Sequence, residues 1–147
     1  MAAGSPAISY GVEARSVPTG AAVLVGRVFF SLIFVFAGLN HFSKQTIAFA
    51  ASQGVPLASI AVPLSGVLAV LGGLSILFGY RAKLGAWLIA LFLIGVTPLH
   101  NFWAVKDPMV AQIQMAMFMK NISMLGGAVL ISQFGAGPLS IDARRSR

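Results

Sequence analysis

The sequence predicts an all-α membrane protein, an up-down-up-down bundle of four transmembrane helices with both termini in the cytoplasm. Of its 147 residues, 58% are hydrophobic and only 9% are charged, and the mean hydropathy is +0.90. A soluble domain of this length cannot bury so much apolar surface. The apolar residues form four runs, each near the ~20 residues with which a helix crosses ~30 Å of hydrocarbon. Basic residues flank these runs unequally, which indicates the orientation.

Each run has recognisable boundaries. The first run ends at Asn40, and the second follows a connection that contains Pro56. Residues 79–83 form a tight turn, so the second and third spans should be antiparallel neighbours. Asp107-Pro108 predicts a helix start ahead of the fourth run. We therefore predict spans over residues 21–39, 60–79, 84–99 (extendable to 82–102) and 115–134.

These spans divide the chain into three parts. Residues 1–20 form a polar N-terminal tail, residues 21–134 the transmembrane domain and residues 135–147 a basic C-terminal tail. The N-terminal tail lacks the pattern of a removable signal peptide. Because basic residues near short loops stay in the cytoplasm, the side with more of them should be cytoplasmic, and both termini lie on that side. Its basic residues are Arg15, Arg81, Lys83, Arg144, Arg145 and Arg147, against Lys44 and Lys106 on the other side.

Composition and motifs exclude several functions. The chain has no cysteine, so it carries no disulfide, thiolate metal site or thiol redox chemistry of its own. Its net charge of +7 is spread over short turns and a tail rather than along one helix face, so we expect no nucleic-acid partner. No phosphate-binding glycine loop, catalytic triad or zinc-ligand spacing occurs. An independent enzyme is therefore the weakest interpretation.

One face of the first span carries polar groups. Residues spaced alternately by four and three share one helix face, and here they are Arg27, Ser31, Phe34, Gly38, His41 and Gln45. A charged side chain within a span either faces the bundle interior or extends along the helix to the lipid headgroups. For Arg27, which lies near the predicted cytoplasmic end, the sequence leaves both alternatives open.

Polar residues also converge at the opposite end of the predicted bundle, where spans one and three end and span four begins. The imidazoles, amides and ammonium there can hydrogen-bond a carbonyl group, and histidine exchanges protons near neutral pH. Lys120, inside the span, needs a partner or water. Taken singly, each residue is more typical of a helix cap or a headgroup contact. The predicted ligand-binding residues are Asn40, His41, His100, Asn101, Trp103, Lys120 and Asn121, with Lys44, Gln112 and Gln114 in the same polar group.

Several short motifs occur in a fixed order along the chain. They are Gly26-Arg27, Phe36 to Asn40, Leu71-Gly72-Gly73, His100 to Trp103, and Lys120-Asn121 followed by Leu125-Gly126-Gly127. In this order and spacing, over residues 26–131, they resemble the DoxX family of small bacterial and archaeal membrane proteins. In two places the chain departs from that family. It has His41 where members often carry lysine, and residues 68–71 lack the acidic residue that often precedes the double glycine.

The resemblance implies a four-helix inner-membrane protein associated with respiratory or sulfur-linked redox complexes, such as the membrane subunit of a thiosulfate:quinone oxidoreductase. The first hypothesis is therefore a subunit that docks a peripheral or soluble oxidoreductase and offers a quinone-type site at the outer leaflet. The alternative is a non-catalytic membrane scaffold or a lipid-binding or small-molecule-binding protein, and a homo-oligomer is compatible with both. A haem b between His41 and His100 is disfavoured, because the only two histidines both lie at span ends.

Overall fold

The computed structural model describes residues 19–145, which fold into helices joined by turns and loops. The α-helices are α1 (Thr19–Asn40), α2 (Lys44–Ser52), α3 (Ala58–Phe78), α4 (Ala82–Val96), α5 (Pro108–Phe134) and α6 (Ile141–Arg145). Two 3-10 turns, Thr97–Leu99 and Phe102–Ala104, continue the chain after α4. Four segments are long and apolar enough to cross a membrane: α1, α3, α4 with its 3-10 turns, and α5. The predicted all-α bundle of four transmembrane helices is confirmed, and the cytoplasmic placement of the termini stays a prediction.

The first three predicted spans agree with α1, α3 and α4 to within a few residues. The fourth helix is longer than expected, because it begins at Pro108 rather than at residue 115. Asp107 explains this start, as predicted: its carboxylate accepts hydrogen bonds from the backbone N–H groups of Met109 and Val110. Arg15, Arg147 and most of the predicted N-terminal tail lie outside the described residues.

The connection 40–58 contains a helix that the sequence analysis did not predict. The Ser43 side chain caps the start of α2 by accepting a hydrogen bond from the backbone N–H of Thr46. On its buried side, α2 packs Ala50 against Ala58 and Val62 at the start of α3. Phe49, next to Ala50, is exposed. This short helix therefore lies against the end of the bundle.

The four long helices pack in the order α1, α3, α4 and α5, and α3 contacts both α1 and α4. Close approach of the backbones needs glycine at two crossings. A Cβ atom on Gly66 would lie 2.8 Å from the Gly38 carbonyl oxygen, and one on Gly72 would lie 2.9 Å from the Gly85 carbonyl oxygen. The bundle core is formed by fully or nearly fully buried side chains of α1, α3, α4 and α5, namely Phe34, Ile76, Ile89, Leu93 and Ala128.

The helices alternate in direction, so the bundle has two distinct ends. At the histidine end, α1 and α4 finish and α3 and α5 start, and this end carries His41 and His100. At the arginine end, α1 and α4 start and α3 and α5 finish, and this end carries Arg27. The helices place the predicted ligand-binding residues at the histidine end, and Arg27 at the other.

Candidate functional site

His41 lies in the turn that ends α1, and its ring is fixed by a hydrogen-bond relay. The His41 Nδ1 atom is 2.7 Å from the Ser65 hydroxyl oxygen, and the Ser65 hydroxyl is 2.7 Å from the Val62 carbonyl oxygen. A hydroxyl has one proton, and here it is donated to the carbonyl. The Ser65 oxygen must therefore accept its bond from His41, which places the proton on Nδ1. The lone pair of Nε2 stays available to accept a hydrogen bond.

The surroundings of His41 are mostly apolar. Its side chain is half-buried, and its ring centre lies 5.5 Å from that of Phe92 on α4. Phe92 in turn packs edge-on against Phe34 in the bundle core. Burial lowers the pKa of His41 from its ordinary value, and the Val62 carbonyl opposes this shift only in part. This shift favours the neutral form of the imidazole.

His100 follows the first 3-10 turn and binds α5. Its Nδ1 atom lies 2.7 Å from the Gln114 side-chain oxygen. An amide oxygen only accepts hydrogen bonds, so Nδ1 of His100 is the donor, and its Nε2 is left facing no side-chain partner among the described residues. Both histidines thus hold their Nδ1 protons in place and leave Nε2 available.

Asn121 is the deepest polar residue of α5 at this end. Only 4% of its surface is exposed, and no hydrogen bond joins its amide to any of residues 19–145. It shares the inward face of α5 with Gln114, Phe118 and Ala128, which recur at helical spacing. Its amide atoms are not fully enclosed, because Arg27 Nε is the one fully buried polar side-chain atom without a partner in the described chain. The amide can therefore bond a water molecule or a ligand.

His41, His100 and Asn121 lie at different depths from the histidine end. Asn121 follows Gln114, the partner of His100, by two helical turns on α5. Asn121 is therefore ~10 Å closer than Gln114 to the centre of the bundle. His41 also lies below the rim, because it bonds Ser65 two turns into α3. His100 therefore stands at the mouth of the histidine end, and His41 and Asn121 lie beneath it.

The other predicted residues lie at the edge of this arrangement. Asn40 and Lys120 are exposed on the surface, and Asn101 is half-buried in the loop between the two 3-10 turns. Asn121, and not Lys120, takes the inward position of α5, and the role of Lys120 in ligand binding stays a prediction. Trp103 is 65% exposed and packs edge-on against Phe102 and against Phe118 of α5.

Arg27 belongs to a separate polar cluster at the arginine end. Arg27 is buried, with only 6% of its surface exposed. Its Nη1 and Nη2 groups donate hydrogen bonds of 2.6 Å and 2.8 Å to the carbonyl oxygens of Ala136 and Leu139. The alternative that the sequence left open is thereby decided, because Arg27 packs inside the bundle end instead of extending to the headgroups.

Sequence reasoning missed the partner of Arg27, the C-terminal segment 135–145. Asp142 in this segment caps α4: its two carboxylate oxygens accept hydrogen bonds of 2.8 Å and 3.0 Å from the backbone N–H groups of Arg81 and Ala82. The Asp142 N–H donates to the Gly79 carbonyl oxygen at 2.8 Å. Asp142 is the one acidic residue of the basic C-terminal tail, and this was the available signal. The sequence around it does not show that its carboxylate reaches the turn between α3 and α4.

Comparison with known proteins gives a consistent result. A family model described as DoxX matches residues 22–105, which include α1, α3 and α4. The chain is 34% identical to the inner membrane protein YqjF of Escherichia coli (strain K12) over 122 residues, 82% of this chain and 88% of that protein. It is 28% identical to the inner membrane protein YphA of the same organism, over 83% of this chain and 89% of that protein.

A more distant similarity extends to a eukaryotic protein. The chain is 25% identical over 130 residues to the ER-derived vesicles protein ERV29 of Saccharomyces cerevisiae (strain ATCC 204508 / S288c). The match covers 84% of this chain but 41% of the yeast protein. No solved structure matches the chain. The family match thus includes His41 and His100 at the ends of α1 and α4 and stops before α5.

Proposed function

This chain belongs to the DoxX family of multi-pass inner-membrane proteins, and on that premise we propose that it is a membrane subunit that binds a quinone-type head group at the histidine end of the bundle. The observation that carries the proposal is Asn121, an almost buried residue whose amide has no hydrogen-bond partner among the described residues and keeps some accessible surface. A quinone presents two carbonyl oxygens on an apolar ring. Such a ring suits an apolar site that holds a few unpaired polar groups.

The histidines favour the reduced form of the ligand. With their protons on Nδ1, His41 and His100 present Nε2 as acceptors, which suits the hydroxyl groups of a quinol better than the carbonyl groups of a quinone. The Asn121 amide serves both forms, since it can donate or accept. Reduction of a quinone takes up two electrons and two protons. We propose that the protons come from water and pass through the imidazoles: Nε2 first accepts a proton and then gives it to the reduced quinone oxygen.

The electrons would come from another protein. The chain has no cysteine, and we therefore propose that a peripheral or soluble oxidoreductase docks on it and reduces the quinone. The chain is then an accessory subunit of a redox complex rather than a complete enzyme. Recovery of an oxidoreductase with the tagged protein, extracted from native membranes in mild detergent, tests this part of the proposal. Recovery of the protein alone favours the alternative of a scaffold or small-molecule-binding protein.

Ligand binding can be measured through Trp103, because quinones quench tryptophan fluorescence. The chain has two tryptophans, and Trp87 is exposed on α4, so Trp87→Phe leaves one reporter at the histidine end. We expect saturable quenching by decylubiquinone in detergent micelles. Asn121→Ala in this background should weaken binding by about fivefold to tenfold, the effect of losing one hydrogen bond of ~1 kcal/mol.

Ser132→Ala is the matched control for this experiment. Ser132 is also buried on the inward face of α5, but it bonds the Val129 carbonyl of its own helix, at the arginine end. Equal quinone affinity in the Asn121→Ala and Ser132→Ala variants would remove Asn121 from the site. A purified protein whose Trp103 fluorescence shows no saturable quenching would contradict the quinone proposal itself.

A further inference from the structure

The arginine end has a cleft that the proposed quinone site does not use. It lies between the start of α4 and the segment after α5, and its volume is about 630 Å³. Arg81 and Lys83 line one side of it, and the loop from Gly135 to Gly137 lines the other. The cleft is large enough to admit a glycerophosphate group.

The cleft has apolar walls beside its basic ones. Leu84, which follows Lys83 in the first turn of α4, and Phe134, the last residue of α5, add an apolar side to it, and Phe134 is 83% exposed. The cleft therefore offers a basic side and an apolar side to one ligand. This is the division that a membrane lipid shows between its head group and its acyl chains.

The charge of this end is strongly positive. The basic side chains there are those of Arg27, Arg81, Lys83, Arg144 and Arg145, and the acidic side chain is that of Asp142. Asp142 lines the cleft, and its carboxylate oxygens accept N–H groups at the start of α4. Its single negative charge leaves this end with a net positive charge, and Lys83 is exposed at the cleft.

We propose that this cleft binds one anionic phospholipid, with its phosphate held by Lys83 and Arg81 and an acyl chain lying along Leu84 and Phe134. The occupant has to be anionic because Arg81 and Lys83 are basic, and it has to be amphiphilic because Leu84 and Phe134 form an apolar wall beside them. A soluble phosphate ion would use the basic half of the cleft and leave the apolar half empty. The site is independent of the quinone proposal, since it lies at the other end of the bundle.

Native mass spectrometry of the full-length protein in detergent tests the proposal. The probes are phosphatidylglycerol and phosphatidylcholine with identical acyl chains. We expect one phosphatidylglycerol to be retained at least fivefold more tightly than phosphatidylcholine. Lys83→Gln should lower the affinity for phosphatidylglycerol about fivefold, the factor that corresponds to ~1 kcal/mol per basic residue.

Lys106→Gln is the matched control, because Lys106 is an exposed lysine at the histidine end and its substitution changes the net charge equally. Lys83→Arg, which keeps the charge, should retain the lipid. Equal phosphatidylglycerol affinity in Lys83→Gln and Lys106→Gln would overturn the proposal, as would equal retention of the two lipids by the unmodified protein. Displacement of phosphatidylglycerol by millimolar inorganic phosphate would assign the cleft to a soluble anion and would likewise overturn it.

Discussion

At the scale of single residues, Arg27 has the most demanding environment in the described chain. Its guanidinium is buried, yet two backbone carbonyl oxygens are its hydrogen-bond acceptors, and its Nε atom has no partner among the described residues. A buried charge is tolerated only when such bonds replace its hydration. The same two hydrogen bonds attach the segment 135–140 to α1.

We expect Arg27→Met to destabilise the protein by about 2–4 kcal/mol, because the carbonyl groups of Ala136 and Leu139 lose their donor and the C-terminal segment loses its attachment. The midpoint of thermal unfolding in detergent measures this effect. Arg144→Met, which removes the same charge from an exposed site, should change stability by less than about 0.5 kcal/mol. Similar unfolding midpoints for the two variants would show that Arg27 does not hold the segment.

Asn121 and Lys120 show that the sequence predicts the depth of a residue in the bundle better than the direction in which its side chain points. The sequence placed both at the correct end of the bundle, because position along an apolar run gives depth. It did not tell which of the two faces inward. Apolar side chains surround α5 on all sides, so no hydrophobic stripe marks an interior face, and only packing against α4 decides it.

At the scale of helices, the crossing of α1 and α3 positions the candidate site. Gly38 and Gly66 let the two backbones approach closely, and this approach brings His41 within reach of Ser65. A Cβ atom on Gly66 would lie 2.8 Å from both the Gly38 carbonyl oxygen and the His41 Cβ. The helix crossing and the histidine tautomer therefore depend on the same glycine.

Gly66→Ala should destabilise the bundle by about 1–3 kcal/mol, because neither the carbonyl group nor the His41 Cβ can move away without separating α1 from α3. Thermal unfolding in detergent measures the loss. Gly126→Ala is the control: a Cβ atom there meets nothing within 4 Å, so alanine should be neutral or slightly stabilising in this helix. Greater destabilisation by Gly126→Ala than by Gly66→Ala would contradict this account of the crossing.

Helix boundaries were predictable where neighbouring residues determine them. They were not predictable where residues distant in the sequence determine them. Asp107 caps α5 through neighbours two and three positions away, and the sequence showed this directly. The start of α4 is capped by Asp142, sixty positions later, through a contact that no local pattern reveals. The short helix α2 was missed because its nine residues are too few to display a clear apolar stripe.

At the scale of the whole molecule, the spacing of apolar runs was sufficient to predict the architecture. Four antiparallel helices place His41, His100 and Asn121 at one end whichever way the protein faces. The orientation depends on a different property, the excess of basic residues at the arginine end. We predict that this end faces the cytoplasm and that the histidine end faces outward.

Cysteine labelling tests this orientation without background, since the natural chain contains no cysteine. In intact cells whose outer barrier is permeable, a membrane-impermeant maleimide should label Gln53→Cys and Lys106→Cys. Arg144→Cys and Lys83→Cys should react only after the membrane is opened. Labelling of Arg144→Cys in intact cells would reverse the orientation, and labelling of only one of the first two would contradict the four-span topology.

The contact between Arg27 and the carbonyl groups of Ala136 and Leu139 joins residues 109 and 112 positions apart. During synthesis, α1 enters the bilayer long before the ribosome has made those carbonyl groups. The newly inserted guanidinium must therefore stay hydrated or lipid-bound until Ala136 and Leu139 have been synthesised. Nascent chains stopped before Ala136 should consequently be easier targets for membrane proteases than chains released after Asp142.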